Sequence, residues 1–222
     1  MSAAHATQTL RAYERWAARY PPEPHNPLMR VEQGQMLAQL PAVRGRRVLD
    51  LACGSGRYTG LLAQQDPHTL VAVDNCGPML EQVRGAHAVQ ADMQRLPFAA
   101  QAFDLIVCGL ALAHTDALGD FMQEAARVLA PHGVLLYSDF HPEAARARLT
   151  RSFRDADGTW TVPQHVFSVD EQLAAARAAG LAVETVRELR VGRELTEAFP
   201  GSDAFYRDWH DLPLVLIIRA VW

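Results

Sequence analysis

Two glycines flanked by carboxylates carry the clearest chemical signal in this chain. Residues 46–60 read Arg46-Arg47-Val48-Leu49-Asp50-Leu51-Ala52-Cys53-Gly54-Ser55-Gly56-Arg57-Tyr58-Thr59-Gly60. An apolar run that stops at a glycine pair and resumes with helix-forming residues is a buried strand, a tight turn and a helix start. Gly54 and Gly56 reach backbone angles closed to other residues, and the helix behind them presents unpaired N–H groups, so the turn suits a nucleotide-like ligand. A dinucleotide site favours G-x-G-x-x-G with the pyrophosphate on the helix N-terminus. Here the third glycine, Gly60, comes one position too late, and Asp50 stands inside the strand four residues before Gly54. An anion there repels a pyrophosphate and suits the ammonium of an amino-acid-bearing ligand. A second acid, Asp74, ends the run Thr69-Leu70-Val71-Ala72-Val73-Asp74, 18 residues beyond Gly56. That is close to the spacing at which an acid at the end of a second strand accepts both hydroxyls of an adenosine ribose.

The run Asp50-Leu51-Ala52-Cys53-Gly54-Ser55-Gly56 resembles the first motif of class I S-adenosylmethionine (SAM) dependent methyltransferases. Two further stretches resemble one branch of that family. They are Arg95-Leu96-Pro97-Phe98 followed by Phe103-Asp104-Leu105-Ile106-Val107, and Glu124 to Gly133 with its Pro131-His132-Gly133 turn. The branch includes the ubiquinone- and menaquinone-pathway C-methyltransferases and the biotin-pathway O-methyltransferases. The resemblance covers roughly residues 46–140 and implies SAM as methyl donor, S-adenosylhomocysteine as product and a small-molecule acceptor. It implies a cofactor site at Asp50, Ala52, Gly54, Gly56, Asp74, Asn75, Met79, Asp92, Met93 and Gly109, with Asp92 accepting the adenine amino group. Tyr13 and Tyr20 then overhang the sulfonium, whose charge an aromatic face attracts, and Arg30 is placed to meet a carboxylate.

Methyl transfer from a sulfonium is an in-line displacement with a good leaving group, so orientation and exclusion of water are the protein's main work. A base is useful only if the acceptor loses a proton on attack. The candidates are His114, Asp139, His141 and His165, the last also a substrate or lid residue. Strand alternation would put Asp139 and His141 on one face at a strand end. We therefore expect His141 to be the acid/base or acceptor-positioning residue, with His114 next; a plain polar rim is the competing reading. No metal site is expected, because Cys53, Cys76 and Cys108 lie far apart without C-x-x-C spacing.

The elements that must position these groups follow from periodicity. Leu10, Tyr13, Ala17 and Tyr20 mark a helix over 9–20 that ends at Pro21-Pro22, and Leu28, Val31, Gln35 and Leu40 mark a second that closes at Pro41. Together they form a cap over residues 1–45, with Trp16 in its packing. Residues 46–222 form the SAM-binding domain. Five strands alternate with helices, the third ending at Asp92 and the fourth running on to Leu112 before His114, which gives a Rossmann-like α/β doubly wound sheet with its crevice at the strand carboxyl ends. The family resemblance implies seven strands in the order 3-2-1-4-5-7-6, the last two at 181–186 and 214–221. An insertion at 141–167 reads as a hairpin around Asp157-Gly158, and a loop there would shape the acceptor pocket. Ser168-Val169-Asp170-Glu171 is a capping box.

The 222 residues suit one domain with a sizeable core. A net charge of −4 disfavours a nonspecific nucleic-acid grip, and all 21 basic residues are arginine, so no lysine serves Schiff-base chemistry. The N-terminal stretch lacks an apolar signal core and no run is long enough to span a bilayer, so a cytoplasmic protein is expected. The competing functions are a SAM-binding regulator without turnover, an RNA or protein methyltransferase, and a nicotinamide-dependent dehydrogenase.

Overall fold

The computed structural model describes residues 2–21, 23–193 and 202–222; Pro22 of the predicted Pro21-Pro22 stop lies outside them. Two helices, α1 (Ser2–Ala17) and α2 (Pro27–Gln39), precede the strand–loop–helix unit β1 (Arg47–Leu51) and α3 (Arg57–Ala63). Then come β2 (Thr69–Asp74), α4 (Gly77–Leu80), β3 (His87–Gln90), β4 (Phe103–Gly109), α5 (Leu118–Val128) and β5 (Leu129–Phe140). The segment after β5 holds α6 (Pro142–Arg146) and the hairpin β6 (Ser152–Asp155) and β7 (Gly158–Thr161). The chain closes with α7 (Val169–Ala178), β8 (Ala182–Arg190), α8 (Ser202–Trp209) and β9 (Pro213–Val221).

Seven strands form one sheet in the order β3-β2-β1-β4-β5-β9-β8, with β6 and β7 paired separately. Counted within the sheet, that is 3-2-1-4-5-7-6, as expected. Strands β1 to β5 are parallel, while β9 runs antiparallel to both β5 and β8. The central strands read as unbroken apolar runs because both faces are covered. Alternation divides them: Leu49, Ile106, Leu135 and Tyr137 pack with Phe121 and Ala125 of α5. Val48, Leu105, Val134 and Leu136 pack on the other face with Met36 of α2 and Leu62 of α3.

Local chemistry sets the ends. Asn26 caps α2, accepting from Met29 N at 2.9 Å, and Pro27 opens the first turn. Ser168 and Glu171 form the expected capping box at α7. Several boundaries differ from the sequence reading: α1 spans Ser2–Ala17 rather than 9–20, and β8 runs on to Arg190. Strand β4 stops at Gly109, because Leu110 turns into the left-handed region at φ 57°, and a 3₁₀ turn over Leu112–His114 follows. Strand β3 ends at Gln90, which leaves Asp92 in a tight bridge with Arg95 just beyond it. Among the described residues no helix is long and apolar enough to cross a membrane.

Candidate functional site

The loop after β1 is wound by three residues in the left-handed region, Ala52 at φ 54°, Gly54 at 56° and Gly56 at 93°, and Gly56 is the N-cap of α3. Asp74, at the end of the neighbouring β2, ties this loop down: Oδ2 accepts from Gly54 N at 2.7 Å and Oδ1 from Cys76 N at 2.9 Å. A carboxylate offers about four lone-pair sites, so with Asn75 also donating from its backbone an acceptor site remains for a ligand. Burial raises the Asp74 pKa while the backbone donors oppose the rise. Asp50 is almost fully buried and accepts from Thr59 Oγ1 at 2.5 Å. Burial pushes its pKa up to about 7, against the pull of Thr59 and Arg57.

A cavity of about 680 Å³ opens over the carboxyl ends of β1, β2 and β4. Asp50, Ala52, Gly54, Asp74, Asn75, Met79, Asp92, Met93 and Gly109 all line it, as do His114, Tyr13 and Tyr20. Gly56 stands behind the wall as a helix cap. Gly109 is required by close approach: a Cβ there would lie 2.3 Å from Tyr58 Cε2.

The structure moves four of the predicted residues out of this set. His141 is buried but does not line the cavity; it ends the strand and becomes the N-cap of α6, with Nδ1 accepting from Glu143 N at 3.1 Å and Nε2 lying 3.3 Å from Glu188. Burial lowers its pKa. Asp139 points to the opposite sheet face from the cavity residue Phe140, and its Oδ1 accepts from Ala113 N at 3.1 Å. It is a buried acid pushed up to about 6 by desolvation, holding the 3₁₀ turn that carries His114. Arg30 is exposed on α2, beyond the cavity-facing Asn26, Leu28 and Met29. His165 lies off the cavity, its N–H donating to Ala113 O at 2.7 Å and its ring edge-on to Phe167. Trp16 does more than fill a helical cap: it lines the cavity and stacks on Phe153 of the inserted hairpin, centroids 4.6 Å apart. Arg15 pairs with Asp157 of the same hairpin, so α1 and the insertion meet over the cavity mouth.

Two groups escaped the sequence reading. Glu32 of α2 is fully buried, pairs with Arg57 at 2.8 Å, and accepts from Tyr58 Oη at 2.8 Å and Ser138 Oγ at 2.5 Å. Nothing local marks it, because its partners lie 25, 26 and 106 residues away. Arg151 comes from the insertion. Its Nη1 donates to Leu110 O at 2.6 Å and to His114 Nε2 at 2.9 Å, and Tyr13 Oη lies 2.9 Å from the same nitrogen. An arginine can only donate, so Nε2 accepts and His114 is neutral with its proton on Nδ1. Cys53, Cys76 and Cys108 are buried free thiols, and among the described residues no cluster of three or more His, Cys, Asp or Glu could hold a metal ion.

Residues 49–137 match the family described as a methyltransferase domain. A malonyl-(acyl-carrier protein) O-methyltransferase of Enterobacter lignolyticus is 36% identical over 144 residues, covering 61% of this chain and 56% of its own. Over this central stretch the chain is similar to methyltransferase domains. It spans about half the length of the curated relatives it matches. An S-adenosylmethionine-dependent methyltransferase from Mesorhizobium loti shares the fold at TM-score 0.71 and 24% identity, covering 86% of this chain and 97% of that one. The DhpI–SAH complex does so at TM-score 0.71 and 20% identity, covering 99% and 98%. SAM is the cofactor named for the Mesorhizobium loti structure, and a carboxylate beside a glycine-wound loop, as Asp74 is here, fits a ribose hydroxyl.

Proposed function

We propose that this protein moves the methyl group of SAM to a small-molecule acceptor by in-line displacement inside the 680 Å³ cavity. The observation that carries the reading is Asp74, which lines the cavity at the end of β2 and whose two oxygens tie down the glycine loop through Gly54 N and Cys76 N. In this reading Asp74 and Asn75 take the ribose, Asp92 and Met93 flank the adenine, and Met79 packs beneath it. Ala52, Gly54 and Gly56 shape the loop, Asp50 favours the ammonium end, and Gly109 leaves room beside Tyr58. When bound, the cofactor supplies an electrophilic methyl on a cationic sulfur. The chain's own residues orient and dry the site: Tyr13 and Tyr20 give aromatic faces that favour a cation, and Trp16 on Phe153 closes the mouth against water. His114, held by Arg151 and Tyr13 at the cavity wall, is suited to position the acceptor rather than to act as its base, because its Nε2 lone pair already receives the Arg151 N–H.

The division into a cap over 1–45 and a SAM-binding domain over 46–222 with an insertion at 141–167 belongs to this proposal, as does a cytoplasmic location. The mouth covered by α1 and the hairpin favours a small or extended acceptor group over a folded polymer. The names of the relatives, which specify O-methyl transfer to a malonyl group on a carrier protein, support an oxygen acceptor. The test is calorimetric titration with S-adenosylhomocysteine beside NADH, followed by transfer from labelled SAM. Binding of NADH instead would return the dehydrogenase reading; binding without transfer to any acceptor would favour a regulator.

A further inference from the structure

Two guanidinium groups line the cavity, and they are in opposite electrostatic states. Arg57 is neutralised by buried Glu32 at 2.8 Å. Arg151 has no carboxylate within ion-pair distance among the described residues. Asp139 contributes to its field, but that carboxyl is engaged with Ala113 N. Both protons of Arg151 Nη1 are used, on Leu110 O and His114 Nε2, whereas Nη2 is buried and has no partner. A buried guanidinium nitrogen without an acceptor is unfavourable, and an arginine edge matches a carboxylate in geometry as well as charge.

We propose that Arg151 is the specificity residue that anchors an anionic group, a carboxylate, on the methyl acceptor. This rests on the cavity being a SAM site, as proposed above. The sheet order places the anchor on the acceptor side. Asp92 follows β3, Asp74 ends β2 and Asp50 lies in β1, while Leu110 and His114, which hold Arg151, follow β4. The adenosine-facing acids and the unpaired cation therefore stand on opposite sides of the glycine loop. His114 and Tyr13, tied to Arg151, would then flank the same acceptor. The insertion after β5 contributes this group, which explains physically how it can choose a substrate that the shared sheet does not.

The experiment uses the full chain saturated with S-adenosylhomocysteine and titrates malonate, with malonamide as the uncharged control and sodium chloride at matched ionic strength. Malonate should bind and malonamide should not. Arg151→Gln should weaken malonate at least about tenfold while leaving the S-adenosylhomocysteine affinity within about twofold, and Arg151→Lys should recover part of the loss. Equal binding of malonate and malonamide by the wild type, or none of malonate beyond chloride, overturns the proposal. A parallel loss of S-adenosylhomocysteine affinity in both variants overturns it too, because Arg151 would then serve the cofactor's own carboxylate. Failure of the folded wild type to bind S-adenosylhomocysteine at all would instead defeat the SAM-site reading.

Discussion

Replacing Asp74 by alanine separates ligand binding from loop stability, because one carboxylate serves both. In the free protein the change strips partners from Gly54 N and Cys76 N, at 2.7 and 2.9 Å. A buried donor left unsatisfied costs about 1–3 kcal/mol, and these two face a cavity that water enters, so the lower end applies and a loss of about 2 kcal/mol in total is expected. That is a fraction of the roughly 5–15 kcal/mol that stabilises a domain, so the variant stays folded. For the ligand, the hydrogen bond from a ribose hydroxyl to a charged acceptor disappears, worth about 1.5 kcal/mol or more. The affinity for S-adenosylhomocysteine should fall by about one order of magnitude or more. Urea unfolding and calorimetric titration on the same samples read the two effects separately. Affinity within about threefold of the wild type, in a folded variant, would refute the assignment of the ribose to Asp74.

Three further outcomes follow from the buried groups. Asp50 and Asp139, raised to about 7 and about 6, bind their protons more tightly folded than unfolded. Their stabilising contribution is complete below about pH 4 and is lost as pH rises through 6 to 7, on the order of 3 kcal/mol each. The ligand-free protein should therefore be less stable to urea at pH 7.5 than at pH 5, and Asp50→Asn should flatten that slope; a wild type as stable at pH 7.5 would exclude both shifts. Gly109→Ala drives a methyl into the buried Tyr58 ring, 2.3 Å from Cε2, and strains its bond to Glu32. Overpacking of this kind costs about 1–3 kcal/mol, visible as a lower urea midpoint, and an unchanged midpoint would mean the ring is free to move. His141→Ala should lose about 1 kcal/mol with the α6 cap yet keep its turnover; a collapse in kcat without unfolding would restore it to the reaction.

The sequence by itself determined the sheet and the loop. The apolar runs of β1, β2, β4 and β5, the glycines after β1 and the acid ending β2 are local signals. They need only the strand period and backbone sterics to be read, and the strand order followed from the family they resemble. The residues carried on those strand ends, from Asp50 to Gly109, accordingly gather at one cavity. Tertiary structure alone decided what faces it from elsewhere. His141 and Asp139 were placed by strand alternation, but alternation ends where the strand does. One residue past Phe140 the chain turns into α6, and the imidazole becomes a cap. Arg30 and His165 were chosen by residue type, and type says nothing about which way a helix or loop turns. Glu32 and Arg151 were missed for the converse reason. Their roles come from partners 25 to 106 and 37 to 41 residues away, and the pairing of a charge across such distances is set by how helices and insertions pack on the sheet.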